Sequence, residues 1–231
     1  MVEFLLGIDI GTSGSKGVLV RPDGTIAARS ERTHELSLPR PGWAEHDPET
    51  VWWADFVAIS RELTTAAGAE GRIAGVCVSG IGPCLLPTDG DGHPLRPAIL
   101  YGIDTRAEIE IEDLTQRYGS DKILRRCGSA LSSQAVGPKL LWLRRNEPEI
   151  WAKTRRIFMA SSFIIHRLTG EYVLDHHSAS QCDPMYDIAT ETWAADWAAD
   201  GEGVAVPLVQ ALKSSATTLS TPIVRQRVNT A

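Results

Sequence analysis

Asp9 and the polar turn after it have residue types and a spacing suited to chemistry. An apolar run ends at Asp9, and the segment Gly11-Thr12-Ser13-Gly14-Ser15-Lys16 separates it from a second apolar run, 17–20. The glycines allow backbone N–H groups to converge on an anion, while the hydroxyl groups and the lysine add donors and a positive charge. A carboxylate at position 9 suits Mg²⁺, which prefers oxygen ligands. The pattern predicts a phosphate site beside a magnesium ligand.

An ordinary β-hairpin with a solvated Lys16 is the alternative interpretation, and the spacing alone leaves both open. Walker A loops and dinucleotide fingerprints each open a helix, whereas Val18, Leu19 and Val20 favour a strand. A further turn, Pro22-Asp23-Gly24, precedes a third apolar segment over 25–28. We therefore expect the chain to open in a three-stranded antiparallel meander.

The composition limits the classes of protein to which this chain can belong. The chain has 231 residues, 43% of them hydrophobic, and a net charge of −6, which argues against nucleic acid or an anionic membrane as partner. No segment approaches the roughly 18 apolar residues of a membrane span, and the N-terminus lacks signal-peptide features. Four scattered cysteines without a CxxC pair predict reduced, buried thiols in a cytoplasmic protein.

Helical and strand patterns alternate along the rest of the chain. Asp47 and Pro48 predict an N-cap and first helical residue for a helix that runs to about residue 67. Residues 73–79 predict a buried strand that Gly80 ends. Further helices are predicted over 107–118, 139–145, 147–153 and 161–168, and short strands over 84–87, 98–101 and 156–159. Such alternation indicates an α/β fold.

Six stretches, in this order, resemble the FGGY family of carbohydrate kinases, particularly xylulose kinases. They are GIDIGTSGSKGVLV at 7–20, PGWAEHDPETVWW at 41–53, IAGVCVSGIGPCLLPTD at 73–89, LRPAILYGIDTRA at 95–107, GPKLLWLRRNEPEIW at 137–151 and ASSFIIHRLTGEYVLDHHSAS at 160–180. The resemblance implies a ribonuclease H-like domain of the actin and hexokinase superfamily. Such a domain has a mixed sheet that opens in an antiparallel meander, with helices on both faces.

The resemblance also implies roles for individual residues. Asp9 would lie near Mg²⁺ and the transferred phosphoryl group, and the ATP phosphates would be lined by Gly11, Thr12, Ser13 and Lys16. The sugar would contact Gly80, Ile81 and Gly82, followed by Asp104 and Arg106. A surface ion pair is the alternative for the last two. Xylulose kinases typically carry Gln-Met-His where this chain has Ser79-Gly80-Ile81, so xylulose itself is not implied.

The implied activity is ATP-dependent phosphorylation of a sugar or polyol hydroxyl, with ATP and Mg²⁺ as cofactors and no nucleic-acid or membrane partner. Relatives often form homodimers. The family's base is an aspartate in a Gly-Gly-Gly-Asp-like segment, and these 231 residues contain no such segment. We expect an N-terminal kinase domain over 1–198 and a divergent tail over 199–231, without the ATP-binding lid domain and inactive alone. A non-catalytic sugar-binding or interaction module with the kinase fold is the alternative.

Aromatic and histidine residues outside these motifs give weaker signals. Trp43 is a candidate for stacking on a sugar ring, whereas Trp52 and Trp53 at a helix start favour the core. His176 and His177 lie close to two aspartates in sequence, but without the paired spacing of a metal site.

Overall fold

The computed structural model describes residues 2–69, 71–198 and 211–212. Its central sheet has four strands in the order β3-β2-β1-β5. Strands β1 (Val2–Ile10), β2 (Gly14–Val20) and β3 (Ile26–Thr33) are antiparallel neighbours, and β5 (Gly71–Gly80) runs parallel to β1. The antiparallel meander and the mixed sheet expected from the sequence are confirmed.

Strand β1 separates a buried face of the sheet from an exposed one. Phe4, Leu6, Ile8 and Ile10 point into the core, while the alternate residues include an exposed Asp9. This period of two follows from the pleat, which sends successive side chains to opposite faces. The strand therefore holds the core with one set of residues and presents Asp9 with the other.

The first helix begins where the sequence predicts. Asp47 accepts hydrogen bonds from the backbone N–H groups of Glu49 (2.9 Å) and Thr50 (2.8 Å), which satisfies donors that a helix start leaves unpaired. A π-helical segment, Pro48–Trp53, leads into α1 (Ala54–Ala66). The cap and the first-turn proline are confirmed.

Close packing of α1 on the sheet depends on Gly17 in β2. A Cβ at this position would overlap the side chain of Ile59 and come within 2.9 Å of Leu63, both in α1. The absence of a side chain therefore sets how near the helix can approach the meander. This packing places the first turn of α1 behind the β1–β2 connection.

The other elements are shorter. Further strands are β4 (Glu45–His46), β6 (Leu86–Thr88), β7 (Ala98–Ile99), β8 (Arg156–Phe158), β9 (Val173–Leu174), β10 (Tyr186–Asp187), β11 (Thr192–Trp193) and β12 (Ala211–Leu212). Further helices are α2 (Glu108–Tyr118), α3 (Ser120–Cys127), α4 (Val136–Asn146), α5 (Pro148–Lys153), α6 (Ala160–Thr169), α7 (His176–Ser180) and α8 (Ala195–Ala198). Gly170, in the left-handed conformation at φ 80°, ends α6 close to residue 168, where the sequence predicted the helix to stop.

Two hydrophobic clusters form the core. The first joins the sheet to α1 and α6, and the second joins α2, α3 and α4 around β7. Helices α1 and α6 pack on the same, buried face of the sheet. The α/β fold class is confirmed, but the helices expected on the second face are not among the described residues.

Three remaining expectations concern a membrane span, the cysteines and the C-terminal tail. No helix in the described part of the chain is long and apolar enough to cross a membrane. All four cysteines are free thiols; three are buried as predicted, whereas Cys77 is exposed on β5. The predicted tail, 199–231, lies outside the described residues except for 211–212, so its boundary stays a prediction.

Candidate active site

Asp9 lies at the junction of the meander and the parallel strand. It stands opposite Lys16 in β2 and opposite Ser79 in β5. Ser79 Oγ donates a 2.5 Å hydrogen bond to Asp9 Oδ1. The side chains of Asp9 and Lys16 are both exposed, so a carboxylate and an ammonium group lie beside each other at the open edge of the sheet.

The glycine turn, residues 11–14, closes the β1–β2 connection next to Asp9. The Gly11 N–H donates to the Gly14 carbonyl over 3.1 Å. A Cβ on Gly11 would lie 2.5 Å from that carbonyl oxygen and 3.8 Å from Asp9 Oδ2. Neither glycine has a positive φ. The turn therefore requires glycine at position 11 because the backbone approaches closely there, and not because of a left-handed conformation.

Buried and partly buried polar side chains contact the turn from inside the protein. Asp55 Oδ2 accepts a hydrogen bond from Ser15 Oγ (2.7 Å) and lies 2.8 Å from His34 Nδ1. The other ring nitrogen of His34, Nε2, lies 3.1 Å from the carbonyl oxygen of Gly11. The first turn of α1 is thereby connected to the glycine turn through one histidine.

A second histidine lies behind the same turn. His46 is buried, and its Nδ1 accepts a 3.1 Å hydrogen bond from Trp52 Nε1. Burial, with the neighbouring His34 as a lesser cause, lowers the pKa of His46 to about 4. His46 is therefore neutral near pH 7, and the proton of the neutral ring belongs on Nε2.

The loop 80–82 begins at the last residue of β5 and lies beside the end of β1. Its Ile81 N–H donates to the Ile10 carbonyl over 2.5 Å. The Ile81 side chain points into the core and is only 7% exposed, so this side chain is not available to a ligand. A Cβ on Gly82 would lie 3.6 Å from the ring of Tyr101. An aromatic ring therefore forms one wall of the loop.

Asp104 and Arg106 lie inside the protein, with side chains that are 0% exposed. Arg106 Nη2 lies 2.7 Å from Asp104 Oδ2, and Arg106 Nη1 lies 2.9 Å from Glu45 Oε1. Asp104 also accepts the backbone N–H of Ala44 over 2.7 Å, and Arg96 pairs with Glu45. The alternative of a surface ion pair is wrong, because the pair is buried. The geometry favours a positioning role for both residues over direct sugar contact.

Residues 4–216 match the N-terminal domain of the FGGY family of carbohydrate kinases. The chain belongs to this family. A xylulose kinase from Escherichia coli is 32% identical over 189 residues, which is 82% of this chain and 38% of that protein. A glycerol kinase from Thermococcus gammatolerans is 31% identical over 197 residues, 84% of this chain and 39% of that protein.

The crystal structure of xylulose kinase from Rhodospirillum rubrum aligns with a TM-score of 0.87 and 31% identity. The alignment covers 98% of this chain and 46% of that one. This FGGY chain thus spans about two fifths of the length of the curated relatives that it matches. Relatives named for a ketose and for a polyol match it about equally well.

The loop after Tyr101 in this FGGY chain is held by a buried lysine. Lys139 Nζ donates to the carbonyl oxygens of Ser133 (2.5 Å) and Ala135 (3.1 Å), and burial lowers the pKa of Lys139 to about 8. Ser133 and Gly102 exchange two further hydrogen bonds, of 3.0 and 3.1 Å. Lys139 therefore stabilises the segment that positions Tyr101.

The aromatic and histidine candidates have structural partners. The guanidinium groups of Arg40 and Arg106 lie 4.7 and 3.9 Å from the ring centroid of Trp43, which leaves that ring engaged by cations. Trp52 and Trp53 are core residues, as predicted. His176 Nδ1 lies 2.6 Å from the hydroxyl of Tyr186.

Among the described residues, one acidic turn has side chains close enough together to suit a metal ion. It consists of Asp89, Asp91 and His93. Asp89 Oδ1 accepts the backbone N–H groups of both other residues over 2.9 Å. These bonds account for the cluster as a closed Asp-Gly turn.

Sequence reasoning missed Ser79, Tyr101, His34 and Asp55 as members of this site. His34 and Asp55 are 21 residues apart and belong to different elements, so no local spacing connects them. Tyr101 follows a short apolar strand as an aromatic residue, which is a weak signal of a wall at a strand end. Ser79 could have been found from its alignment with Asp9 on adjacent strands.

Proposed function

We propose that this chain is the sugar-binding half of an ATP-dependent carbohydrate kinase that phosphorylates a hydroxyl group of a sugar or polyol. One observation carries the proposal: Asp9, the glycine turn and the loop 80–82 meet at one edge of the sheet. A phosphate-binding turn and a sugar loop must be neighbours for phosphoryl transfer, since the reacting groups have to be held together. Family membership supports this reading.

The residues at this edge fit ATP phosphates and Mg²⁺. The glycine turn is tight, since its first residue bonds the Gly14 carbonyl oxygen, and a short turn of this kind can direct other backbone N–H groups at an anion. Thr12, Ser13 and Lys16 supply further donors and a positive charge. Asp9 Oδ2 faces Gly11 while Oδ1 is held by Ser79, so Asp9 would hold the ion. Bound Mg²⁺ would neutralise charge on the phosphate oxygens.

In the proposed reaction the sugar hydroxyl oxygen forms a bond to the γ-phosphorus, and the bond to the β,γ-bridging oxygen breaks to release ADP. The hydroxyl proton passes to a general base. The loop 80–82 and Tyr101 would orient the sugar, and the buried pair Asp104 and Arg106 would fix the segment after Tyr101. We propose that the chain alone turns over little or no substrate, because none of the residues that we place at this edge of the sheet is assigned as the base.

The proposal also covers the partner, the cellular location and the oligomeric state. The partner is a small sugar or polyol, and the chain acts in the cytoplasm. A homodimer is expected by analogy with full-length relatives.

A coupled ADP-release assay beside a thermal-shift screen tests this function. The purified chain is incubated with Mg-ATP and a panel of pentoses, ketoses and polyols that includes xylulose and glycerol. We expect no steady turnover and a higher Tm with one class of compound. Sugar-dependent ADP release that Asp9→Ala abolishes would instead show a complete catalyst. No Tm shift with any compound would favour an interaction module that kept only the fold.

A further inference from the structure

His34 lies between the glycine turn and α1, and both of its ring nitrogens face oxygen acceptors. Nδ1 lies 2.8 Å from a carboxylate oxygen of Asp55, and Nε2 lies 3.1 Å from the carbonyl oxygen of Gly11. The His34 side chain is 8% exposed, so bulk water does not replace either partner. A hydroxyl group, that of Ser15, also donates to the same Asp55 oxygen over 2.7 Å.

The chemistry of these partners sets the number of protons on the ring. A carbonyl oxygen and an ionised carboxylate only accept hydrogen bonds, whereas a neutral imidazole carries a single N–H. A neutral His34 can therefore make one of the two bonds and would direct a lone pair at the other acceptor. The imidazolium form makes both. The proton positions follow from this network of acceptors.

The neighbouring charges permit a positive charge at His34. Asp55 faces the ring from α1, and His46 faces it from β4, with the two imidazole centroids 4.9 Å apart. Burial lowers the pKa of His46 to about 4, so His46 adds no competing charge near neutral pH. Arg32, two residues earlier in the chain, is paired with Glu62. Asp55 is thus the charged group in direct contact with His34 among the described residues.

We propose that His34 is a positioning residue for the phosphate site: as an imidazolium held by Asp55, it fixes the Gly11 carbonyl and places a positive charge behind the glycine turn. This inference rests on the proposed function for the identity of the ligand, the phosphate chain of a magnesium nucleotide. A carbonyl that is held by an inward donor cannot rotate towards the phosphates. The charge favours anions at the turn without occupying the site.

The proposal is tested first in the free protein, by NMR on the chain with ¹⁵N-labelled histidine and glycine. The ring nitrogens of His34 should show two N–H groups at the acidic end of the folded range. Loss of one proton should coincide with a shift of the Gly11 and Gly14 amide signals. His93, whose side chain is 77% exposed and lies beside Asp89, is the matched control, and a change at its ring should not move those amide signals.

A variant series separates positioning from mere packing. Asp55→Asn should abolish the joint titration of His34 and the glycine amides, whereas His93→Gln should preserve it. In calorimetric titrations with Mg-ADP, His34→Gln should weaken binding about tenfold, as expected for a lost charge-assisted hydrogen bond. His93→Gln should bind like the unmodified chain.

The outcomes distinguish this inference from the proposed function. If the unmodified chain binds no Mg-ADP but the joint titration occurs, the nucleotide role fails and the positioning of the turn by His34 stands. Two results would overturn the inference while the function stands, provided that Mg-ADP binds. One is that His34 carries a single ring proton at every pH at which the protein is folded. The other is that the glycine amide signals do not shift when His34 loses a proton. Equal Mg-ADP affinity in His34→Gln would also overturn it.

Discussion

Ser79 and Asp9 lie opposite each other on parallel strands, and the 2.5 Å hydrogen bond between them joins residues that are 70 positions apart in the chain. This bond fixes one oxygen of the Asp9 carboxylate and leaves the other facing the glycine turn. It also connects the proposed metal ligand to the strand that leads into the loop 80–82. A change in either strand therefore affects both halves of the proposed site.

Gly11→Ala tests the need for close approach in the glycine turn. The added Cβ would lie 2.5 Å from the Gly14 carbonyl oxygen, so the turn must open. We expect a loss of about 1–3 kcal/mol in the free energy of unfolding, typical of an added methyl group without space. Gly90→Ala is the control, because a Cβ there meets nothing within 4 Å. Urea denaturation of both variants gives the comparison, and equal stabilities would refute the steric argument.

Arg106→Met tests the buried ion pair beneath the segment 101–106. The variant leaves Asp104 and Glu45 without their shared cation, and loss of one partner of a buried pair costs about 3–5 kcal/mol. The control is Arg72→Met, which removes an exposed pair with Glu3 and should cost at most about 1 kcal/mol. Chemical denaturation measures both. A smaller loss for Arg106→Met than for Arg72→Met would contradict the buried arrangement.

Asp183 predicts a fall in stability with rising pH. Burial raises the pKa of its carboxyl from 3.8 to about 6. A raised pKa means that the folded protein binds this proton more tightly than the unfolded chain. The stabilisation is therefore complete below pH 4 and is lost as pH rises through 6, with a size of at most about 3 kcal/mol.

Asp183→Asn removes this titration and should flatten the stability profile between pH 4 and 6. Asp23 is the control, since hydrogen bonding to Thr25 lowers the pKa of that exposed carboxyl. Asp23→Asn should leave the slope between pH 4 and 6 unchanged. Thermal denaturation across the range measures both variants. A slope that persists in Asp183→Asn would assign it to another group.

Sequence patterns predicted the fold well where the residues of a single helix or strand determine its structure. The Asp47 cap, the strand that ends near Asp9 and the end of the helix near residue 168 depend on neighbours within a few residues, and the structure has all three. Helix α3 (Ser120–Cys127) was missed because only Ile123 and Cys127 face the core. Two apolar positions four residues apart are too few to predict a helix by periodicity.

The site was predictable only in part, for a related reason. The glycine turn and Asp9 are adjacent in sequence, so their types and spacing were informative. The burial of Asp104 and Arg106 depends on Ala44 and Glu45, about 60 residues away, and a motif cannot show which side of a loop faces the core. The support of the turn by His34 depends on tertiary packing in the same way.

Sugar titration into the chain and its Gly82→Val variant tests the central claim most directly. A Cβ at Gly82 would make ordinary contact with Tyr101, 3.6 Å away, so the fold should tolerate the variant while the γ-methyl groups narrow the loop 80–82. The account predicts calorimetric binding of a sugar or polyol that Gly82→Val abolishes and the control Gly90→Val retains. Unchanged binding in Gly82→Val would contradict the placement of the sugar site at this edge of the sheet.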